Sequence, residues 1–240
     1  MQVQEKVVDK TVPEGKWVFD EGVAAAFDDM QERSIPQHQL MRKLCFDLGS
    51  EFVSASDPGT EVVDLGCSRG AALAPFVDRF GAVNRYVGVE VSEPMLAASA
   101  ARYDAMMRAG VVRVESCDLR DRYPQSHASV VLVVLTLQFT PLEHRLAIMS
   151  RIAEHMVPGG ALILVEKVIG GSARLDQAMV AAYYDMKRRN GYTEDQIQRK
   201  RLSLEGVLVP LTAEWNERML DLAGFRERDC FWRWMNFAGW

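Results

Sequence analysis

Residues Val62 to Gly70 read V-V-D-L-G-C-S-R-G. An apolar run closes on an acid and a glycine, a tight turn follows, and a second glycine opens a helical pattern. This is how the first strand of an α/β sheet presents itself to a nucleoside ligand. Gly66 lets the backbone approach the ligand closely, and Gly70 lets the next helix pack tightly on the strand. The spacing is G-x-x-x-G rather than the G-x-G-x-x-G of dinucleotide enzymes. Asp64, just ahead of the turn, suits a cationic or amine-bearing ligand better than a pyrophosphate. The turn, with Asp64, Gly66, Cys67, Ser68 and Gly70, therefore points to S-adenosylmethionine rather than NAD.

Two further acids fall where such a ligand needs them. Glu90, followed by Val91, ends the second strand pattern, where a carboxylate accepts both ribose hydroxyls. Asp118 follows the third strand in E-S-C-D-L, placed for an adenine amino group, with Leu119 offering a backbone N–H. Taken singly, each acid reads as a helix cap or a solvated strand end. Three strand ends in succession, all on the carboxyl side where ligands of such sheets sit, point to an adenosyl site. The fourth strand ends in L-T-L-Q-F (135–139), with Thr136 and Gln138 but no strong acid or base.

The elements that must position these groups alternate. Helical spacing of Val23, Ala26, Phe27 and Met30 predicts a first helix before Pro36. His38 to Phe52 predicts a second, with Leu40, Leu44, Leu48 and Phe52 on one face. Strands are expected at 61–65, 86–90, 111–115, 129–135 and 161–167, with helices at 71–80, from Ser92, and at 141–156. Ser92 is the expected N-cap with Pro94 in the first turn, and V-P-G-G (157–160) the expected C-terminal cap. This alternation predicts a mostly parallel sheet with helices on both faces. After Gly171 two helices, 173–189 and 193–201, interrupt the sheet as a cap inserted over 172–208. A further helix spans 212–222. The aromatic stretch 228–237 is extended, either a buried edge strand or a contact for a second chain. Residues 1–16 are polar and expected to be mobile, leaving a single domain over 17–240 that opens with helices at 17–56.

The chain has 240 residues, 48% of them hydrophobic and 25% charged, with a net charge of −5. That length is one large domain. The charge gives no support to a nucleic-acid surface. Cys45, Cys67, Cys117 and Cys230 are scattered without a C-x-x-C pair, which argues against a zinc site or a disulfide framework. No apolar stretch reaches the ~20 residues of a membrane span, and the opening residues lack a signal peptide's apolar region. A soluble, cytoplasmic protein with no metal, no membrane contact and no direct nucleic-acid binding is expected.

The chain resembles the carboxy-S-adenosyl-L-methionine synthases, bacterial enzymes with a Rossmann-like class I methyltransferase fold and a seven-stranded sheet. The resemblance runs from Trp17 to Phe237 and is carried by W-V-F-D-E (17–21), F-D-D-M-Q-E-R-S-I-P (27–36), D-L-G-C-S-R-G (64–70), T-L-Q-F (136–139), P-G-G-A-L (158–162), E-K (166–167), K-R-R-N-G-Y (187–192) and K-R (200–201). It implies binding of S-adenosylmethionine, or its carboxylated form, together with prephenate. Prephenate becomes phenylpyruvate and loses carbon dioxide, which the sulfonium methyl captures after losing a proton. The carboxylated product serves wobble-uridine modification in tRNA.

The resemblance implies a homodimer and a cap arginine that neutralises the new carboxylate, at Arg201. Guanidinium–carboxylate pairs are bidentate and strengthen in a closed site. This chain departs from the family at three places. His38 stands where the family has a ligand-contacting tyrosine, Val134 where it has an asparagine, and Glu90-Val91 where it has Asp-Asn. His38 can donate a hydrogen bond as tyrosine does, or act as a base near neutral pH. Glu90 keeps the ribose contact, whereas Val134 removes a polar partner. These departures keep open a methyltransferase acting on a small-molecule acceptor. A non-catalytic adenosyl-binding protein is the third reading.

Overall fold

Runs such as V-V-D-L and S-V-V-L-V-V are too uniformly apolar for a strand with one wet face; they need cover on both. The computed structural model describes residues 8–55 and 57–240 and supplies that cover. The strands are β1 (Glu61–Leu65), β2 (Arg85–Glu90), β3 (Val112–Ser116), β4 (Ala128–Val134), β5 (Met156–Ile169), β6 (Leu211–Thr212), β7 (Trp232–Trp234) and β8 (Phe237–Gly239). Their order is β3-β2-β1-β4-β5-β8-β7, with β6 pairing β5 off this path. The first five are mutually parallel, while β8 runs antiparallel to both β5 and β7. This is the expected Rossmann-like, mostly parallel sheet of seven strands, and the two-residue β6 adds an eighth.

The period of two divides the strands between two cores. Val63, Val87, Val131, Val133 and Leu164 face one side and pack on α5 (Leu142–Glu154) and α8 (Ala213–Leu222). Val62, Tyr86, Val130, Leu132, Ile163 and Val165 face the other, under α2 (His38–Ala55), α3 (Ala74–Phe80) and α4 (Glu93–Arg108). A third, smaller core joins Trp17 and the buried face of α1 (Glu21–Ser34) to Met95 of α4. Ser92 caps α4 through the Met95 N–H, with Pro94 in the first turn, as its sequence predicts. The cap consists of α6 (Ala173–Arg189) and α7 (Glu194–Leu204), the latter opened by a capping box between Thr193 and Gln196.

Three local expectations are revised, and of the two readings open for 228–237 the structure shows the buried edge strand. The buried face of α2 is Met41, Cys45 and Val53; Leu40 (47% exposed) and Leu48 (39% exposed) face outward. The reason is Gly49. A Cβ there would lie 2.7 Å from Phe76 Cζ of α3 and 3.2 Å from Ile163 Cδ1 of β5, so this one glycine lets α2 pack closely on both. V-P-G-G does not cap α5, which ends at His155, but opens β5. Gly160 is there because a Cβ would lie 2.8 Å from the Ser129 carbonyl oxygen. The N-terminal stretch expected to be mobile is tied down over its described part, since Asp9 is buried and its N–H donates to Asp29 (2.9 Å). Residues 1–7 lie outside the described residues. Trp232, Phe237 and Trp240 are buried against the chain's own sheet, with β7 at its edge.

The α2 register gives a direct test. Met41→Ala should cost about 2–5 kcal/mol, as for a buried large-to-small change. Leu40→Ala should stay within about 0.5 kcal/mol. Urea midpoints at unchanged slope measure both.

Candidate functional site

A sheet whose strand order reverses between β1 and β4 leaves a crevice at the carboxyl ends of those strands. Here it is a cavity of about 400 Å³, within the range of small-molecule sites. Gly66 shapes its floor at φ +78°, where a Cβ would lie 2.4 Å from Thr136 Cγ2, so the ends of β1 and β4 close on each other only with glycine. Gly70 (φ +73°) faces α4, where a Cβ would meet Tyr103 and Ser99, and the Tyr103 hydroxyl donates to its carbonyl (2.5 Å).

At the β2–β3 end, Ser68 adopts φ +48° and its N–H donates to Glu90 Oε2 (2.9 Å). The other oxygen of Glu90 accepts from the N–H groups of Val91 (2.8 Å) and Ser92 (2.9 Å). The carboxylate is thus held by the backbone and retains lone pairs for a diol. Asp118 is held by Arg120, through both guanidinium contacts and the Arg120 N–H (2.9 Å), which lowers its pKa. Gly66, Ser68, Glu90, Val91, Asp118, Leu119 and Val134 all line the cavity.

The remaining predicted residues lie apart from it. Asp64 is buried beneath the turn with Oδ2 unpartnered. Burial pushes its pKa up to about 7, against the pull of Arg42. Cys67 turns its thiol into the core toward Gly88 and Ser99. His38 is outside the cavity with both ring nitrogens buried and unpartnered, and burial together with Arg42 pulls its pKa to about 4. It is therefore neutral at pH 7. Arg201 is exposed on α7, paired with Glu205 (3.0 Å) and donating to Gln198 (3.1 Å). Neither of the two catalytic candidates, His38 and Arg201, lines this cavity.

In place of Arg201 the preceding residue turns inward, consecutive helical positions being about 100° apart. Lys200 lines the cavity, 9% exposed, with its Nζ 3.9 Å from the Trp17 ring centroid and 2.7 Å from Met30 Sδ. Lys167, from β5, also lines it, with Nζ 4.9 Å from the Tyr183 ring centroid. Lys187, 4% exposed, lies between the Tyr183 and Tyr192 rings at 5.8 and 4.6 Å. Burial pulls Lys200 to about pKa 7 and Lys167 and Lys187 to about 8. None of the three has a carboxylate within ion-pair distance among the described residues. Nearby Glu166, buried and pushed up to about pKa 8, accepts from the Leu137 N–H (2.9 Å). In the sequence these lysines fall within E-K, K-R-R-N-G-Y and K-R, motifs that carry no site signal of their own. Strings of lysine and arginine are usually solvated, and only the fold gathers them.

The donor set fits an adenosyl cation. Acidic groups stand at the ends of β1, β2 and β3, one with an unpartnered buried oxygen, beside a turn that a Cβ would fill. Among the described residues no helix is long and apolar enough to cross a membrane.

Residues 62–160 match the family model described as a methyltransferase domain. Over 222 residues the chain is 38% identical to the carboxy-S-adenosyl-L-methionine synthase of Methylococcus capsulatus, covering 92% of this chain and 90% of that one. It is 41% identical over 223 residues to the enzyme of the same name from Wolinella succinogenes, again covering 92% and 90%. Among solved structures, a mitomycin 7-O-methyltransferase shares the fold at a TM-score of 0.59 and 16% identity, covering 91% of this chain and 55% of that one. An N,N-8-amino-8-demethyl-D-riboflavin dimethyltransferase from Streptomyces davawensis gives 0.58 at 18% identity, covering 91% and 57%.

The buried lysines make a stability prediction. Lys200, flanked by Lys187, Arg33 and Asp9, has a folded pKa near 7 against 10.5 when free. The unfolded chain therefore binds more protons between those values, and this group's penalty is full below pH 7 and fades as pH rises toward 10.5. Lys200→Met should melt a few degrees above wild type at pH 6, with the gap closing by pH 10. About 1 kcal/mol moves Tm by 2–4 °C at this chain length. Thermal melts across pH measure it.

Proposed function

This chain belongs to the carboxy-S-adenosyl-L-methionine synthase family, and we propose that it makes carboxy-S-adenosyl-L-methionine from S-adenosylmethionine and prephenate. In that conversion prephenate releases its ring carboxylate as carbon dioxide and its ring hydroxyl as hydroxide, becoming phenylpyruvate, while the sulfonium methyl gives a proton to the hydroxide and takes up the carbon dioxide. The observation that carries this reading for the chain's own residues is a single cavity that presents acids at one end and lysines at the other. A methyl donor alone needs the first; an anionic co-substrate needs the second.

The chain's residues divide the work. Glu90 and Asp118 receive the ribose and adenine, with Ser68 holding Glu90 in place. Asp64, buried beneath the turn, acts on the cationic methionine end through its charge rather than by contact. Phe19, Phe27, Phe139, Leu204 and Val134 wall the space between with apolar surface and exclude water, so a proton released there has few competing acceptors. Lys167 and Lys200 supply positive potential that draws in a dianion. The product would serve wobble-uridine modification in tRNA, made by a cytoplasmic homodimer. The family resemblance supports that context.

The test uses S-adenosylmethionine with a fully deuterated methyl group, incubated with purified protein and prephenate. Mass spectrometry should find a nucleoside carrying one added carboxyl group and two of the three deuterons. Formation of S-adenosylhomocysteine with no carboxylated nucleoside would overturn the reading and make the protein a methyltransferase.

A further inference from the structure

The cationic end of the cavity has a structural oddity that the adenosyl ligand does not resolve. Lys200 is nine-tenths buried, Lys187 more so, and Lys167 faces the same space from β5. Their nearest groups are rings and a thioether rather than carboxylates. An isolated buried ammonium is costly, and folds retain one where an anion repays the cost on binding. The only carboxylates exerting a pull on them among the described residues are Asp9, on Lys187 and Lys200, and Asp176, on Lys167. Asp9 is already occupied by its own bonds, accepting from Tyr192 OH (2.8 Å) and the Thr11 N–H (3.0 Å). Asp176 accepts from the Gly170 N–H (2.8 Å).

The ribose and adenine lie at the other end of the cavity, and the cofactor affinity of the lysine variants tells its methionine carboxylate from a co-substrate's. The adenosyl acids stand at the ends of β2 and β3, and Lys167 stands on β5, three strand spacings from β2, or about 14 Å across the sheet. Between them lie Gly66, Val134 and Thr136, which carry no charge. We propose that Lys167 and Lys200 form a subsite for the carboxylate that a 2-oxo acid co-substrate keeps through the reaction, with Lys187 behind Tyr183 holding the local potential positive.

The inference rests on the synthase reading and adds a polarity to it. Prephenate has two carboxylates, and only one is lost. An ammonium bound to the departing carboxylate would stabilise the ground state more than a transition state in which its charge is dispersing, and would slow the step. The departing group therefore belongs over the uncharged middle, against Val134 and the phenylalanine wall. The retained carboxylate belongs on the lysines, which fixes which end of the co-substrate faces the sulfonium.

The experiment is calorimetric titration of the full chain, saturated with S-adenosylmethionine, with phenylpyruvate. Lys167→Met and Lys200→Met should each weaken phenylpyruvate at least tenfold and raise KM for prephenate at least tenfold, with S-adenosylmethionine affinity within twofold of wild type. Lys200→Arg should recover most of the loss. On the wild type, the methyl ester of phenylpyruvate should bind at least tenfold more weakly than the acid, a readout independent of whether any variant folds. Equal binding of ester and acid would overturn the subsite. So would methionine variants that keep phenylpyruvate within twofold, or that lose S-adenosylmethionine affinity alone. Lysine-dependent phenylpyruvate binding in a protein that makes no carboxylated nucleoside would support the subsite and overturn only the reaction. Turnover with an unchanged prephenate KM in the variants would overturn only the subsite.

Discussion

Burying an ammonium in an apolar wall without an ion-pair partner is a constraint that the surrounding structure must be built to tolerate. Around Lys200 and Lys187 that is done with π faces. Trp17 lies under Lys200, and Tyr183 and Tyr192 flank Lys187. Ring quadrupoles attract a cation without neutralising it, so the charge is held in place and kept available. A carboxylate in the same position would have stabilised the fold and closed the site to anions. The depressed lysine pKa values follow from that choice, as do the apolar partners.

The choice also explains why segments far apart in the chain converge here. Tyr192 sits in the α6–α7 turn, where Gly191 adopts φ +86°. Its hydroxyl donates to Asp9, its ring is covered by the Arg33 guanidinium at 4.2 Å, and Asn190 donates to the Arg33 carbonyl (2.9 Å). The Trp17 N–H donates to the Ser203 carbonyl (2.9 Å). The N-terminal strap, the end of α1 and the cap are thereby one unit, and that unit is the wall of the cavity's cationic end. The adenosyl end is set mainly by the sheet and its turns, and the strap and α1 touch it where Ser92 Oγ donates to the Phe19 carbonyl (2.7 Å) and Arg69 pairs with Asp28 (3.1 Å).

That division decides what the sequence makes legible. The adenosyl end is local: a strand, a glycine turn and an acid lie within a few residues, so Gly66, Ser68, Glu90 and Asp118 are readable in order. The sheet is readable because continuous Val and Leu runs need two covers. The cationic end is assembled from β5, α6, α7 and the strap, and nothing in the spacing of Lys167, Lys187 and Lys200 tells a buried lysine from a solvated one. At 200–201, the resemblance selects the arginine, while the helix turns the lysine inward and leaves Arg201 with Glu205. The face of α2 is misread for a similar reason. Leucines outrank a glycine in any hydrophobicity pattern, yet close approach at Gly49 decides which side is buried.

The central claim is that one cavity holds a sulfonium nucleoside and an anion in reacting contact. The most direct measurement is the mass of the small molecule released when freshly purified protein is denatured. The account predicts a nucleoside heavier than S-adenosylmethionine by one carbon dioxide. Recovery of S-adenosylhomocysteine in its place would contradict it.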